Sequence, residues 1–438
     1  MNNKTFKKGL ITMAAALALS ACGGEASSED ESTQGSAASG EAVTIEYWHG
    51  NADTQGGRQV EELVNKFNDS QDEVIVEPVY NDGLYVGLME NLQTSAAGGE
   101  YPAVVQIGWA YREYFQSNFE FTDPETLLST VGEEGNDTYL EDKFPEPMLN
   151  LARDFAGNLL GFPYSVSTPV IYVNKELVDE AGVDPTTITS YEELYEMAGQ
   201  ITEATGKHGL YITESNDNWS TQGLIEANGA VTVSEDGQAE FASEEGQKAL
   251  QDWADSIDAG HTLHTSTDQG HQSFISGDVG MVWTTIAQRT NITENANFES
   301  YAIELPPYEG NDPAVPAGGA LLAVTAREEA EQAAALKFIE FLYEPDNVAI
   351  WTSGTGYLPP TNDATENEDL AELIETDQMF QTSYNQMENL VPFASFPGSR
   401  GLEASDMYRN MRDRVFGGTP ASEAMPETQD EINELLGN

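Results

Sequence analysis

Apolar and polar residues alternate from Val43 to Trp48 (Val-Thr-Ile-Glu-Tyr-Trp), the period of a strand with one buried face. Val60, Leu63, Val64 and Phe67 then recur at i, i+3, i+4 and i+7, which predicts an amphipathic helix. Val74 to Val79 predicts the next strand, with Pro78 near its end. Leu84, Leu88, Met89 and Leu92 predict a second helix, stopped by Gly98-Gly99. Ala103 to Ile107 reads as a buried strand. Strand and helix alternate, which predicts a parallel sheet and an α/β fold.

The pattern begins again further on. Val170-Ile171-Tyr172-Val173 predicts a strand, and Asn174-Lys175-Glu176-Leu177 opens a short helix ending at Gly182. Helices are predicted over Tyr191 to Glu203 and Ala249 to Ile257. From Phe274 to Trp283 a helix end, a glycine turn and a strand follow one another. Leu321 to Val324 predicts a strand, Ala330 to Tyr343 a strongly apolar helix, and Met407 to Leu436 a helical end. No internal repeat is visible, which argues against a solenoid. With 438 residues the chain exceeds one ordinary core, so two domains are expected.

The first residues follow a different rule. Lys4, Lys7 and Lys8 precede a short apolar run, Gly9 to Leu19, too short to span a bilayer and shaped like a secretory signal. Leu19-Ser20-Ala21-Cys22 follows, and Cys22 is the only cysteine, so no intrachain disulfide can form. The four residues resemble the lipobox of bacterial lipoproteins, which implies cleavage before Cys22 and lipidation of its sulfur. On that reading residues 1–21 are a signal peptide. Residues 22–42, rich in Gly, Ser and acid, form a flexible tether on the outer face of the cell membrane.

Charge narrows the function further. The chain carries 75 Asp plus Glu against 18 Lys plus Arg, a formal charge of −57; without the three lysines of the signal this becomes 15 minus 75, or −60. No basic stripe exists to neutralise phosphates, so nucleic acid is excluded as a partner. The acids are spread along the chain, which suits adaptation to a saline or alkaline medium better than a dedicated calcium site. His261, His264 and His271 do not have the spacing of a zinc site, and neither a metal nor a cofactor is expected.

Six segments, in order, carry a resemblance. They are Phe162 to Lys175 (Phe-Pro-Tyr-Ser-Val-Ser-Thr-Pro-Val-Ile-Tyr-Val-Asn-Lys), Ala181 to Pro185, Ser276 to Met281, Leu305-Pro306-Pro307, Gly318-Gly319, and Gly354 to Pro359. Together they resemble the extracellular solute-binding proteins of the maltose-binding type. Tyr47-Trp48-His49, Ser167-Thr168-Pro169, Gly318-Gly319-Ala320 and Thr355-Gly356-Tyr357-Leu358-Pro359 are similar to its glycerol-3-phosphate-binding subgroup. The resemblance implies a two-lobe periplasmic-binding-protein-like fold of type II with the ligand cleft between the lobes. Lobe I would comprise residues 43–163 and 306–356, and lobe II residues 164–305 and 357–438. It also implies a monomer that captures a small polar solute by hinge closure and hands it to the permease subunits of an ABC importer.

The same resemblance implies the ligand-binding residues: Tyr85, Ser167, Trp219, Gly318, Gly319, Tyr357 and, gripping a phosphate, Arg400. Trp109 stands where the subgroup has a carboxylate, and Trp219 alone where it has two tryptophans. These departures suit a glycerophosphodiester or a neutral mono- or oligosaccharide as well as glycerol 3-phosphate. Each aromatic has a second reading as core, Ser167 as a backbone cap, and Arg400 as an ordinary ion pair in an acidic chain. A secreted glycan or phosphodiester hydrolase is the rival class, but neither Gly-x-Ser-x-Gly nor His-Glu-x-x-His occurs, so no enzyme is expected.

Overall fold

The computed structural model describes residues 42–133, 138–214 and 218–437. The expected signal, Cys22 and nearly all of the tether lie outside these residues, as do Asn216 and Asp217. In chain order the strands are β1 (Val43–His49), β2 (Val74–Tyr80), β3 (Val104–Gly108), β4 (Phe162–Ser167), β5 (Pro169–Asn174) and β6 (His208–Ile212). They continue as β7 (Thr262–Leu263), β8 (Val279–Thr285), β9 (Ser300–Ile303), β10 (Val315–Pro316), β11 (Gly318–Val324) and β12 (Leu390–Val391).

Two five-stranded sheets result, ordered β2-β1-β3-β11-β4 and β7-β6-β8-β5-β9, with β10 and β12 paired separately. The expectation of a parallel sheet holds for only part of each. β1 runs parallel to β2 and β3, whereas β11 is antiparallel to both β3 and β4. In the second sheet β6 is parallel to β7 and β8, and β5 is antiparallel to β8 and β9. The antiparallel members are the strands through which the chain passes between sheets, so their direction is set by the crossing and not by a βαβ unit.

Burial follows position in the sheet. The central β3 is buried at every residue, whereas the edge strand β2 exposes Glu77 and Pro78. Proline is tolerated at an edge because it lacks only an outward donor. Asn68 covers part of the edge: its amide donates to the Val76 carbonyl at 2.9 Å and accepts from the Val76 N–H at 2.9 Å. A side-chain amide thus takes the place of a missing strand.

Helices Gly57–Ser70, Leu84–Gly98 and Glu329–Leu342 pack on the first sheet, and Lys175–Ala181, Tyr191–Thr205 and Thr267–Ile275 on the second. Their ends match the sequence signals. Asn174 accepts from the N–H groups of Glu176 and Leu177, and Gly182 closes that helix at φ +69°. The expected helical end divides into Gly401–Phe416 and Ala421–Leu436, which pack on helix Glu244–Asp258 beside the second sheet.

The chain passes between sheets through Ser167-Thr168-Pro169, again through the stretch from β9 to β11, and again after Gly356. Buried Gln386 ties the first two crossings, since its Oε1 accepts from the Leu305 N–H at 3.1 Å and its amide donates to Thr168 Oγ1 at 3.0 Å.

Candidate ligand site between the two sheets

The site is built where β4 leaves the first sheet and β11 enters it. Ser167 lies opposite Gly318 in the β4–β11 register. A methyl on Gly318 would come within 2.5 Å of Ser167 Oγ and 3.0 Å of Trp219 Cζ2, so the missing side chain lets a hydroxyl and an indole approach one strand. Gly319 has a different reason to be glycine. Its φ is +113°, and any Cβ would run into the Ser165 carbonyl oxygen.

Trp219 opens the helix Trp219–Ala227, entered from Asn218 at φ +58°. Its indole N–H donates to the Pro316 carbonyl at 2.9 Å and its ring meets Trp283 edge-on at 5.2 Å. The side chain is therefore fixed against the crossing between β10 and β11.

On the first-sheet side, the N–H of Trp109 is shared between the Ser165 and Gly318 carbonyls at 3.2 and 3.1 Å, and the residue is 1% exposed. It pins β4 and β11 together from below. Tyr85 is half-buried, and its ring covers the Cα of Gly108, where a methyl would fall 2.6 Å from Cγ. Tyr357 follows Gly356 at φ +80° and stacks parallel on Trp351 at 5.6 Å. The next residue, Leu358, donates its N–H to the Val166 carbonyl at 2.7 Å, which places Tyr357 beside the end of β4.

Six of the expected residues thus gather at or directly behind one strand junction: Ser167, Gly318, Gly319, Trp219, Trp109 and Tyr85. Tyr357 lies next to it. Arg400 does not join them. Its side chain is exposed, and its fork is closed on Glu403, with Nε to Oε2 at 2.8 Å and Nη2 to Oε1 at 2.6 Å.

Sequence reasoning passed over a second group. The segment after β12 lies between helix Arg112–Asn118 and helix Trp219–Ala227. Arg112 is buried; its Nη1 donates to the Phe393 carbonyl at 2.7 Å and to that of Trp109 at 3.3 Å. Burial lowers its pKa, opposed by Glu113 at 3.6 Å and by Asp154. Burial pushes the Glu113 carboxyl up to about 7, against the pull of Arg112 and with a push from Asp154. Burial also raises Glu226 to about 7, although its carboxylate accepts from the Gln222 amide at 2.9 Å. In a chain this rich in acid nothing about the spacing of Glu113 or Glu226 marks them; only burial does.

The histidines have different partners. His264 pairs with Glu214 at 2.9 Å, and His271 sits buried against Thr284 Oγ1 at 2.8 Å, where burial lowers its pKa to about 4. The described residues hold no group of three metal-capable side chains, and no helix among them is long and apolar enough to cross a membrane.

Comparison with known proteins agrees with this architecture. The chain is 25% identical over 380 residues to the sn-glycerol-3-phosphate-binding periplasmic protein UgpB of Escherichia coli K12, covering 83% of this chain and 84% of that protein. It is 24% identical over 416 residues to the protein of the same name from Salmonella typhimurium, covering 90% and 92%. Among solved structures, UgpB from Mycobacterium tuberculosis in complex with glycerophosphocholine superposes with a TM-score of 0.77 at 21% identity, over 90% of this chain and 99% of that one. The acarbose-binding GacH receptor of Streptomyces glaucescens also gives 0.77, at 20% identity over 91% and 99%. These establish the two-lobe fold. Residues 62–380 match the profile of one family, and the chain belongs to it: the bacterial extracellular solute-binding proteins.

Proposed function

We propose that this protein captures glycerol 3-phosphate or a glycerophosphodiester between its lobes and delivers it to the permease subunits of an ABC importer. The meeting of Ser167, Gly318 and Trp219 at the strand junction carries this reading. A hydroxyl, a strand backbone without a side chain, and an indole face suit a small polar solute with a carbon skeleton. The similarity to glycerol-3-phosphate-binding relatives over most of the chain supports the phosphate class. Arg400 would turn from Glu403 to the phosphate as the solute enters, since its fork can make the same two-point contact with either anion.

A neutral mono- or oligosaccharide is the second reading, favoured by one observation: the guanidinium of Arg400 already has a carboxylate partner. The lobes would be close to the expected residues 43–163 with 306–356 and 164–305 with 357–438, with the first boundary moved to Ser167 because β4 (Phe162–Ser167) belongs to the first sheet. The protein would act as a monomer, without cofactor, held to the outer face of the membrane through lipid on Cys22. On this reading it returns its solute unchanged; product formed on incubation would instead support a hydrolase.

Thermal unfolding against glycerol 3-phosphate, glycerophosphocholine, maltose and maltotriose tests the proposal. A solute at about 100 times its dissociation constant stabilises by roughly 2.7 kcal/mol. For a protein of this length that raises the midpoint by about 3 °C. A shift with the two phosphates, lost in Arg400→Ala, is the expected result. A shift with the sugars alone would transfer the assignment to the second reading, and no shift with any of the four would count against both.

A further inference from the structure

The segment from Leu390 to Gly398 is bonded to both lobes in alternation. On the second-lobe side the Gln222 amide donates to the Pro392 carbonyl at 2.9 Å and accepts from the Ala394 N–H at 2.9 Å. On the first-lobe side the Phe393 carbonyl accepts from Arg112 at 2.7 Å and Ser395 Oγ accepts from the Glu113 N–H at 3.2 Å. The Gly398 carbonyl accepts from the Asn118 amide at 3.2 Å. Phe393, Ser395 and Phe396 are buried, so the bonds from Arg112 and Glu113 are shielded from water, whereas that from Asn118 is exposed.

The two ends of the segment bear on which lobe it follows. Upstream, helix Gln378–Asn385 packs on β5 and β9, and the Gln378 amide bonds both the N–H and the carbonyl of Ala302. Downstream, helix Gly401–Phe416 packs on helix Glu244–Asp258, and Asn218 donates to the Ser405 carbonyl at 3.1 Å. Both anchors rest mainly on the second sheet's side, although helix Gly401–Phe416 also touches helix Arg112–Asn118 and Leu390–Val391 pair with Val315–Pro316 at the crossing. On that balance the segment would follow the second lobe, and its bonds to Arg112, Glu113 and Asn118 would have to break or remake whenever the lobes rotate.

We infer that this segment is a latch between the lobes. Arg112 is the positioning residue that holds it from the first lobe and Gln222 the one that fixes it to the second. Neither needs to touch the solute. Arg112 suits the task because it is buried and gives a carbonyl a charge-assisted hydrogen bond, a stronger tie than a neutral pair. The inference rests on the reading that the two lobes close on a solute.

Spin labels at Glu125→Cys and Glu203→Cys in the Cys22→Ser full-length chain would report the separation of the lobes. Without solute, the parent protein is expected to give one dominant distance. Arg112→Met is expected to cut that population relative to longer distances by on the order of tenfold, the weight of one charge-assisted bond. Arg112→Lys, which keeps a donor, restores most of it, and Ser395→Ala gives a smaller change in the same direction without removing a charge. Circular dichroism confirms that each variant is folded; if Arg112→Met does not fold, Ser395→Ala and Gln222→Ala decide the matter. An unchanged distribution in folded variants would overturn the latch. Adding the four-solute panel to the unlatched Arg112→Met variant separates the two ideas. Longer distances that no bound solute shortens would remove the closure reading, while the solute-free comparison still decides whether the segment is a latch.

Discussion

Adjacent glycines in β11 should fail in different ways when a methyl is added. In Gly318→Ala the backbone is not strained, and the new Cβ meets Ser167 Oγ at 2.5 Å and Trp219 Cζ2 at 3.0 Å. The hydroxyl can rotate away. The indole cannot follow easily, because its N–H is held by the Pro316 carbonyl and its edge by Trp283. The fold should lose only about 1 kcal/mol, the usual range for a small overpacking. Solute affinity should fall at least about tenfold, because the methyl occupies the gap and turns the hydroxyl. In Gly319→Ala the φ of +113° costs about 1–3 kcal/mol by itself. The Ser165 carbonyl then stands in the way, and it cannot retreat without breaking its bond to Trp109. A total loss of about 3–5 kcal/mol follows, or a fall of roughly 4–6 °C in Tm. Calorimetric melts and isothermal titration on both variants, with the panel solute that binds, separate the cases. A Gly319→Ala protein melting within about 1 °C of its parent would refute the backbone argument. A Gly318→Ala protein with unchanged affinity would place the solute elsewhere.

Three further outcomes are expected. The folded pKa values of Glu113 and Glu226, near 7, exceed their ordinary 4.5, so the folded state holds more protons than the unfolded chain between those values. Stability therefore falls as pH rises from 4.5 to 7 and levels off above, by at most about 3 kcal/mol per group. Melts at pH 5 and pH 8 in constant salt check this, and Glu226→Gln should shrink the difference, whereas a difference unchanged in that variant would exonerate the carboxyl. Arg400→Ala should alter stability by less than about 0.5 kcal/mol, because its pair with Glu403 is exposed, so any loss of phosphate binding in that variant belongs to the site and not to the fold. Cys22→Ser should move the protein from the membrane fraction to the medium; retention at the membrane would remove lipid at Cys22 as the anchor.

How much of this could be read in the sequence depended on the distance over which each feature acts. Helix Gly57–Ser70 was legible because Val60, Leu63, Val64 and Phe67 face one core and sit within two turns. β4 was not drawn as a strand, since all six of its residues are buried and the alternation that marks a half-exposed strand is absent. The direction of β11 was not legible, because it is fixed by the crossing, far away in sequence. Ser167, Trp219, Gly318 and Gly319 came from the family resemblance, and the structure then supplies a steric reason for each glycine. The ion pair of Arg400 was open to a local reading, because Glu403 lies three residues on. Arg112 and Gln222 were beyond reach: their partners, Phe393 and Pro392, lie 281 and 170 residues away.

The charge leads to one more prediction. Most basic side chains of the described residues already face an acid, as in Lys143–Asp363, Lys248 between Glu192 and Asp252, Arg289–Asp377 and Arg327–Glu120. With 18 basic residues against 75 acids, the remaining carboxylates have no cation to meet and repel one another. Added salt weakens both terms, since the screening length falls from about 8 Å at 0.15 M to about 3 Å at 1 M. The attractive pairs sit at contact distance and several are half-buried, where screening is least effective. The repulsions act between exposed groups over longer gaps, where it is most effective. Salt should therefore stabilise the protein, and Tm should rise between 0.1 and 1 M sodium chloride. Sodium perchlorate at equal ionic strength separates screening from solvent exclusion, because it screens equally without strengthening apolar burial. A Tm that rises in chloride and falls in perchlorate would assign the effect to hydration, and a fall in both would mean that the ion pairs, not the excess acids, dominate the electrostatics of the fold.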